Sequence, residues 1–161
     1  MLRARDRAGF TLIEVLLVLG IIASVALIAL PRYAASAERY RLDAAAQRVI
    51  ADMAFARGRA RASGVSVTVR FDTALDHYRL LDVPNVLNGA ASYTVELDQA
   101  PYEARIVSAT FDDSEDAVEL VGDVIFDPWG APDSGGAIVL TVGDRTRTLV
   151  LDPDGGTLSE P

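Results

Sequence analysis

From Phe10 to Leu30 the chain carries 21 residues whose only ionisable side chain is Glu14. At about 1.5 Å of rise per residue, a helix of that length spans a hydrocarbon layer of about 30 Å. Beyond Pro31 the pattern continues as a helix: Leu42, Ala45, Ala46, Val49, Met53, Ala56 and Ala60 recur at steps of three or four and define one apolar face. Arg41, Asp43, Gln47, Arg48, Asp52, Arg57, Arg59 and Arg61 are assigned to the opposite face. Gly64 offers a stop, so the pattern predicts one helix from about Phe10 to about Ser63.

Beyond Gly64 the period shortens to two. Val65 to Phe71 and His77 to Leu81 read as strands joined through a turn at Asp72 to Asp76. Pro84, Asn85, Asn88 and Gly89 mark a loop, and Tyr93 to Leu97 and Ala104 to Phe111 suggest two more strands. The last third predicts strands over Ala117 to Phe126, Ala137 to Val142 and Arg145 to Leu151. The last two are joined at Gly143-Asp144, where glycine supplies the positive φ of a primed hairpin turn. Asp152-Pro153-Asp154-Gly155-Gly156 reads as a turn, and Thr157 to Pro161 as a frayed end.

The size of the chain, 161 residues with half of them hydrophobic, suits one domain plus an apolar anchor. With no cysteine there is neither a disulfide framework nor a thiolate metal site. The basic residues are all arginine, and three of them, Arg3, Arg5 and Arg7, precede the apolar run with Asp6. Cationic flanks hold that end of a span in the cytoplasm, which puts the C-terminal part outside. Without that leader the formal charge falls from −8 to −10, a field that argues against general binding of nucleic acid or anionic lipid.

Glu14 is the exception within the apolar run. A carboxylate there costs a few kcal/mol, about 3 on insertion scales, and needs a partner. An amino group exposed by cleavage after Gly9, the chain's own or a neighbour's, would supply one; snorkelling to lipid headgroups is the alternative. Gly9-Phe10-Thr11-Leu12-Ile13-Glu14, between a basic leader and an unbroken apolar run, resembles the type IV prepilin motif. The resemblance implies cleavage between Gly9 and Phe10 by a prepilin peptidase, N-methylation of Phe10, and pairing of Glu14 with such an amino terminus as subunits stack by their helices. Pro31 stands where members of that superfamily often have a helix-kinking proline, which agrees with proline's loss of a helical hydrogen bond. A simple end to the membrane span is the other reading of Pro31. A signal peptide ending at Ala35-Ser36-Ala37 is a further one for the whole N-terminus.

Ala54 to Val65 followed by an alternating strand is similar to the helix-to-sheet junction of the GspH/FimT family. So is the later course Ile125-Phe126-Asp127-Pro128, Gly130, a glycine pair, two strands and an aspartate-rich turn. Asp127-Pro128-Trp129-Gly130 is also similar to major pseudopilins. The resemblance implies an α+β, pilin-like fold with a long N-terminal helix packed on an antiparallel sheet. It divides the chain into a leader (1–9), a membrane or filament-core helix (10–30), its amphipathic continuation (31–63) and a periplasmic β-rich head (64–161).

The implied function is that of a non-enzymatic minor pseudopilin of a type II secretion system. Its expected partners are other pseudopilins, the peptidase, the inner-membrane secretion platform and the membrane itself. It would sit in a bacterial inner membrane by a single pass before joining a periplasmic filament. A FimT-like minor type IV pilin acting in pilus assembly or DNA uptake is the alternative, with Arg57, Arg61, Arg145 and Arg147 as candidate polyanion contacts. On a helix, positions 57 and 61 share a face while Arg59 points away.

No catalytic, metal or cofactor site is expected. Asp133-Ser134-Gly135-Gly136 echoes a serine-protease nucleophile segment, but Pro132 replaces the glycine and the lone His77 sits in a predicted strand, so a turn is expected. Asp112, Asp113, Glu115 and Asp116 lack the calcium-loop glycine and distal glutamate and read as a solvated loop, and Asp152 and Asp154 are read in the same way. Trp129, in a turn between strands, is expected to cap the core, with an exposed interface anchor as the alternative reading.

Overall fold

The computed structural model describes residues 10–81, 83–84, 92–111 and 121–160. Their element order is α1 (Leu12–Ser63), β1 (Val67–Asp72), β2 (His77–Leu80), β3 (Tyr93–Glu96), β4 (Arg105–Thr110), β5 (Val121–Phe126), β6 (Gly136–Val142), β7 (Arg145–Leu151) and β8 (Leu158–Ser159). The chain divides into two compact units, Met1–Ala37 and Glu38–Pro161.

In the first unit α1 starts behind a cap. Thr11 stands before the first helical residue, and its Oγ1 accepts the backbone N–H of Glu14 at 3.3 Å. Threonine followed three residues later by glutamate is the sequence of a capping box. Glu14 also places a negative charge in the first turn, where the unpaired N–H groups concentrate positive potential. Pro31 falls within α1.

In the second unit the predicted apolar face of α1 becomes the centre of the core. Leu42, Ala45, Ala46, Val49, Met53, Ala56 and Ala60 are all buried. Alanine at four of the seven positions keeps the helix surface shallow, which leaves room for the large inward side chains of the strands. The helix ends at Gly64, whose φ of 65° and N–H···O=C bond to Ala60 (2.9 Å) form a left-handed cap.

The strands form two four-stranded antiparallel sheets, in the orders β3-β2-β1-β5 and β4-β6-β7-β8. Alternation decides which residues face inward: Val67, Val69 and Phe71 from β1, Tyr78 and Leu80 from β2, and Val124 and Phe126 from β5. Ile138, Leu140 and Val142 from β6 and Leu149 and Leu151 from β7 join the same core. Phe71 packs against Tyr78 and Phe111 with ring centroids 5.2 and 5.4 Å apart. The sheets meet where β5 passes β4: a Cβ at Gly122 would lie 2.3 Å from the carbonyl oxygen of Ala109, so only glycine permits that approach. In β4 the register with β6 shifts between Ile106 and Ser108, leaving Val107 exposed in a bulge.

The β1–β2 turn is held by Asp72, whose Oδ1 accepts the N–H groups of Ala74 and Leu75 at 3.0 and 3.1 Å. The β6–β7 turn has Gly143 at φ 57°. The tail departs from expectation, since Leu158–Ser159 pairs with β7 as an edge strand and does not fray. Burial of the Leu158 side chain and a bond from the Asp152 N–H to the Thr157 carbonyl (3.1 Å) fix it there. The acidic segment Asp112 to Asp116 lies outside the described residues.

Candidate assembly surface

The first turn of α1 brings Thr11 and Glu14 together, with Phe10 just ahead of the cap. Phe10 is 82% exposed. Gly9 and the leader arginines lie outside the described residues. Glu14 is exposed and forms no ion pair with any described residue. Around it Leu12, Ile13, Val15, Leu16, Leu17, Val18, Leu19, Ile21, Ile22, Val25, Leu27 and Ile28 are exposed as well. They occupy every side of the helix, so the segment has no apolar face turned towards a core. By length and composition α1 can cross a membrane. The unit therefore offers an uncovered apolar cylinder with one carboxylate near its capped end.

The candidate arginines of the head divide into two places. Arg57 donates from Nε to the carbonyl of Gly130 at 3.2 Å, and Arg61 donates from Nε to the carbonyl of Trp129 at 2.6 Å. They hold the turn between β5 and β6 against the C-terminal end of α1. Arg147 instead pairs with Asp43 and with Glu160, and Arg145 is exposed at the start of β7. Asp43 precedes Arg57 by fourteen helical positions, or about 21 Å along the axis at 1.5 Å each. The four arginines therefore line no single track.

Asp133-Ser134-Gly135-Gly136 is a turn. Asp133 Oδ1 accepts the Ile125 N–H at 2.9 Å, and the Ser134 hydroxyl reaches the same carboxylate at 3.4 Å. His77 sits in β2, in the other sheet from β6. Asp152 closes its own turn by accepting the Asp154 N–H at 3.1 Å. Among the described residues no group of His, Cys, Asp and Glu could hold a metal ion.

The sequence model described as "Type II transport protein GspH" matches residues 45–155, which include the last third of the helix and most of both sheets. The chain belongs to the GspH family. A second model, the "Prokaryotic N-terminal methylation motif", matches residues 4–30 and so contains Gly9, Phe10 and Glu14. No curated protein sequence matches the chain. Among solved structures the type IV minor pilin FimU of Pseudomonas aeruginosa (strain PAO1) is similar in fold, with a TM-score of 0.53 and 16% identity over 77% of this chain and 90% of that one. The fold is pilin-like: a long N-terminal helix packed on antiparallel sheets.

Within this GspH-family head, two residues differ from their expected placement. Asp52, which the sequence pattern assigns to the polar face, is only 8% exposed. It lies three positions after Val49 and four before Ala56, inside the apolar stripe. Its Oδ2 accepts the Tyr78 hydroxyl at 2.6 Å and Arg48 Nε at 2.9 Å, and the Arg48 guanidinium lies 5.7 Å from the Tyr93 ring centre. Burial, then the neighbouring Asp52 charge and its hydrogen bond, push the Tyr78 phenol far above its ordinary pKa and keep it protonated. For Arg48, burial opposes the charge, but Asp52 outweighs it by charge and hydrogen bond, so the guanidinium's pKa is raised.

The second is Trp129, which is 77% exposed and caps no core. Pro132, buried on the other side of the turn and bridged to Phe126, covers that end of the sheet instead.

Proposed function

We propose that the protein is a minor pseudopilin of a type II secretion system, of the H type. Cleavage after Gly9 and methylation of Phe10 would prepare it for assembly into a short periplasmic filament whose growth drives protein export. The GspH match over residues 45–155 carries this reading, and the methylation motif over residues 4–30 supports the processing step.

The chemistry of the N-terminus fits these roles. Before assembly, an apolar cylinder with exposed Leu, Ile and Val on every side is compatible with lipid chains, with the cationic leader in the cytoplasm and the head in the periplasm. After cleavage, the amino group of Phe10 is the nearest new cation to the capped first turn. Pairing of Glu14 with such a group, on a neighbouring subunit, cancels both charges in apolar surroundings and sets the register between helices. The chain is then the substrate of a peptidase and a filament component, with no catalytic part of its own.

The likeness to a type IV minor pilin favours a second reading, a minor pilin of a type IV pilus. Mass spectrometry of the protein from its native membrane tests the processing common to both. An N-methylated Phe10 is expected, and a chain beginning at Glu38 would remove the whole assembly surface and refute both readings. Deleting the gene separates them: loss of exported proteins from the medium with pili intact is expected, whereas loss of pili with export intact would transfer the assignment to the pilus.

A further inference from the structure

Trp129 is the most exposed large apolar side chain among the described residues from Glu38 onward. The fold holds it there. The Gly130 N–H bonds to the Asp127 carbonyl at 2.8 Å, and the Asp127 N–H bonds to the Ala131 carbonyl at 2.9 Å. Asp127 Oδ1 accepts the N–H groups of Trp129 and Ala131 at 2.9 and 2.8 Å, and Arg61 and Arg57 hold the carbonyls of residues 129 and 130. Gly130 adopts φ 81°, and a Cβ there would lie 2.4 Å from Arg61 Nε. An indole presented on so constrained a turn loses little backbone freedom when a partner covers it.

The surroundings indicate the partner's chemistry. Arg57 and Arg61 are among the described arginines with no carboxylate within ion-pair distance, and they are the two that reach the carbonyls of this turn. Their charges stand uncompensated on a chain that is acidic as a whole. Val65 is 61% exposed and precedes β1 at the end of the ladder where Val67 faces Phe126, next to the turn. Tryptophan and arginine are the residue types that dominate binding energy at protein interfaces. A nucleic acid or an anionic lipid surface fits less well, since Arg57 and Arg61 share one face while Arg59 points away, which gives no continuous phosphate track, and the net field repels polyanions.

We propose that Trp129, Arg57, Arg61 and Val65 form a docking knob for the head of a neighbouring filament subunit, with the indole seated in an apolar pocket rimmed by carboxylates. This rests on the filament reading above.

The test uses the full-length chain in its native cells, with a photo-crosslinking benzoylphenylalanine replacing Val65 and, as a control, replacing the exposed Leu75 in the β1–β2 turn. The expected result is an adduct from position 65 with a chain that itself carries a processed prepilin N-terminus, this chain included. Its yield falls at least tenfold with Trp129→Ala, while the thermal midpoint of the protein is unchanged. No adduct above the Leu75 control, an adduct only with nucleic acid or an unrelated protein, or an adduct indifferent to Trp129→Ala overturns the knob. Sequencing the N-terminus in the same cells separates the two claims. A methylated Phe10 without the adduct sinks the knob alone, whereas a chain beginning at Glu38 sinks the filament reading and the knob with it.

Discussion

Replacing Asp52 by alanine tests the buried contact between helix and sheet. The Tyr78 ring is fully buried and its hydroxyl has the Asp52 carboxylate as partner at 2.6 Å. Without that carboxylate the phenol keeps its desolvation cost and loses a charge-assisted bond, together about 2–3 kcal/mol. Arg48 adds little, because its side chain is 36% exposed and can turn to water. Tyr78→Phe removes the donor but leaves Asp52 paired to Arg48, for about 1.5–2 kcal/mol. Because each variant destroys the same bond, the double variant should fall short of the sum by about 1–2 kcal/mol. For a domain of this size these losses correspond to midpoints lower by roughly 6–10 °C. Urea unfolding of the detergent-solubilised full-length chain, followed by near-ultraviolet circular dichroism of the tyrosines, measures all four states. Trp129 fluorescence is a poor reporter because the indole is exposed already. Single variants within 0.5 kcal/mol of the parent, or a strictly additive double variant, would refute a shared buried bond; both thresholds are about the error of such cycles.

The same phenol gives a pH signature. Its pKa is raised on folding, so the folded chain holds a proton that the unfolded chain releases near pH 10. Stability is therefore complete below that pH and declines above it by up to about 1.4 kcal/mol per pH unit, a slope that Tyr78→Phe should remove. Gly136→Ala should disrupt the β4–β6 pairing and lower expression of folded protein, because its Cβ would meet the Thr110 carbonyl oxygen at 2.2 Å and Phe111 Cα at 2.8 Å. Gly58→Ala should act in the opposite direction: nothing lies within 4 Å of the added methyl, so a gain of about 0.5–1 kcal/mol in urea unfolding is expected. Glu14→Leu should leave cleavage after Gly9 intact while filament incorporation falls at least tenfold, read by mass spectrometry and by shearing of cell-surface or periplasmic filaments.

The helix was legible because its seven core positions repeat at helical intervals, and the period demanded their burial before any partner was known. Strand positions were legible by the same logic with a period of two. The partition of the strands between two sheets was not, since alternation says which face is buried and not which strand lies beside which. Asp52 fell within the apolar stripe by spacing, and its charge obscured that. The tyrosine that justifies its burial is on β2, 26 residues away, beyond the reach of a local pattern. The exposure of Trp129 escapes a local pattern for a related reason. Its exposure depends on arginines 68 and 73 residues from the groups they hold, and on Pro132 covering the sheet end in its place. At the N-terminus the motif was legible from residue types alone, because charge and hydropathy there act through composition more than through tertiary contacts.

The apolar residues around the first half of α1 make the helix indifferent to which hydrocarbon surrounds it. Lipid tails are about as apolar as leucine side chains, so exchanging a lipid neighbour for another helix of the same kind changes solvation little. On the filament reading proposed above, extraction from a bilayer into a bundle of like helices would be a swap of one oil for another, nearly level in free energy along most of its length. On so flat a path, under that reading, a modest mechanical push would suffice for advance, and an equally modest loss of it for return. Reversibility of that kind follows from the absence of a preferred side, which is the property least expected of a helix that must find a single place.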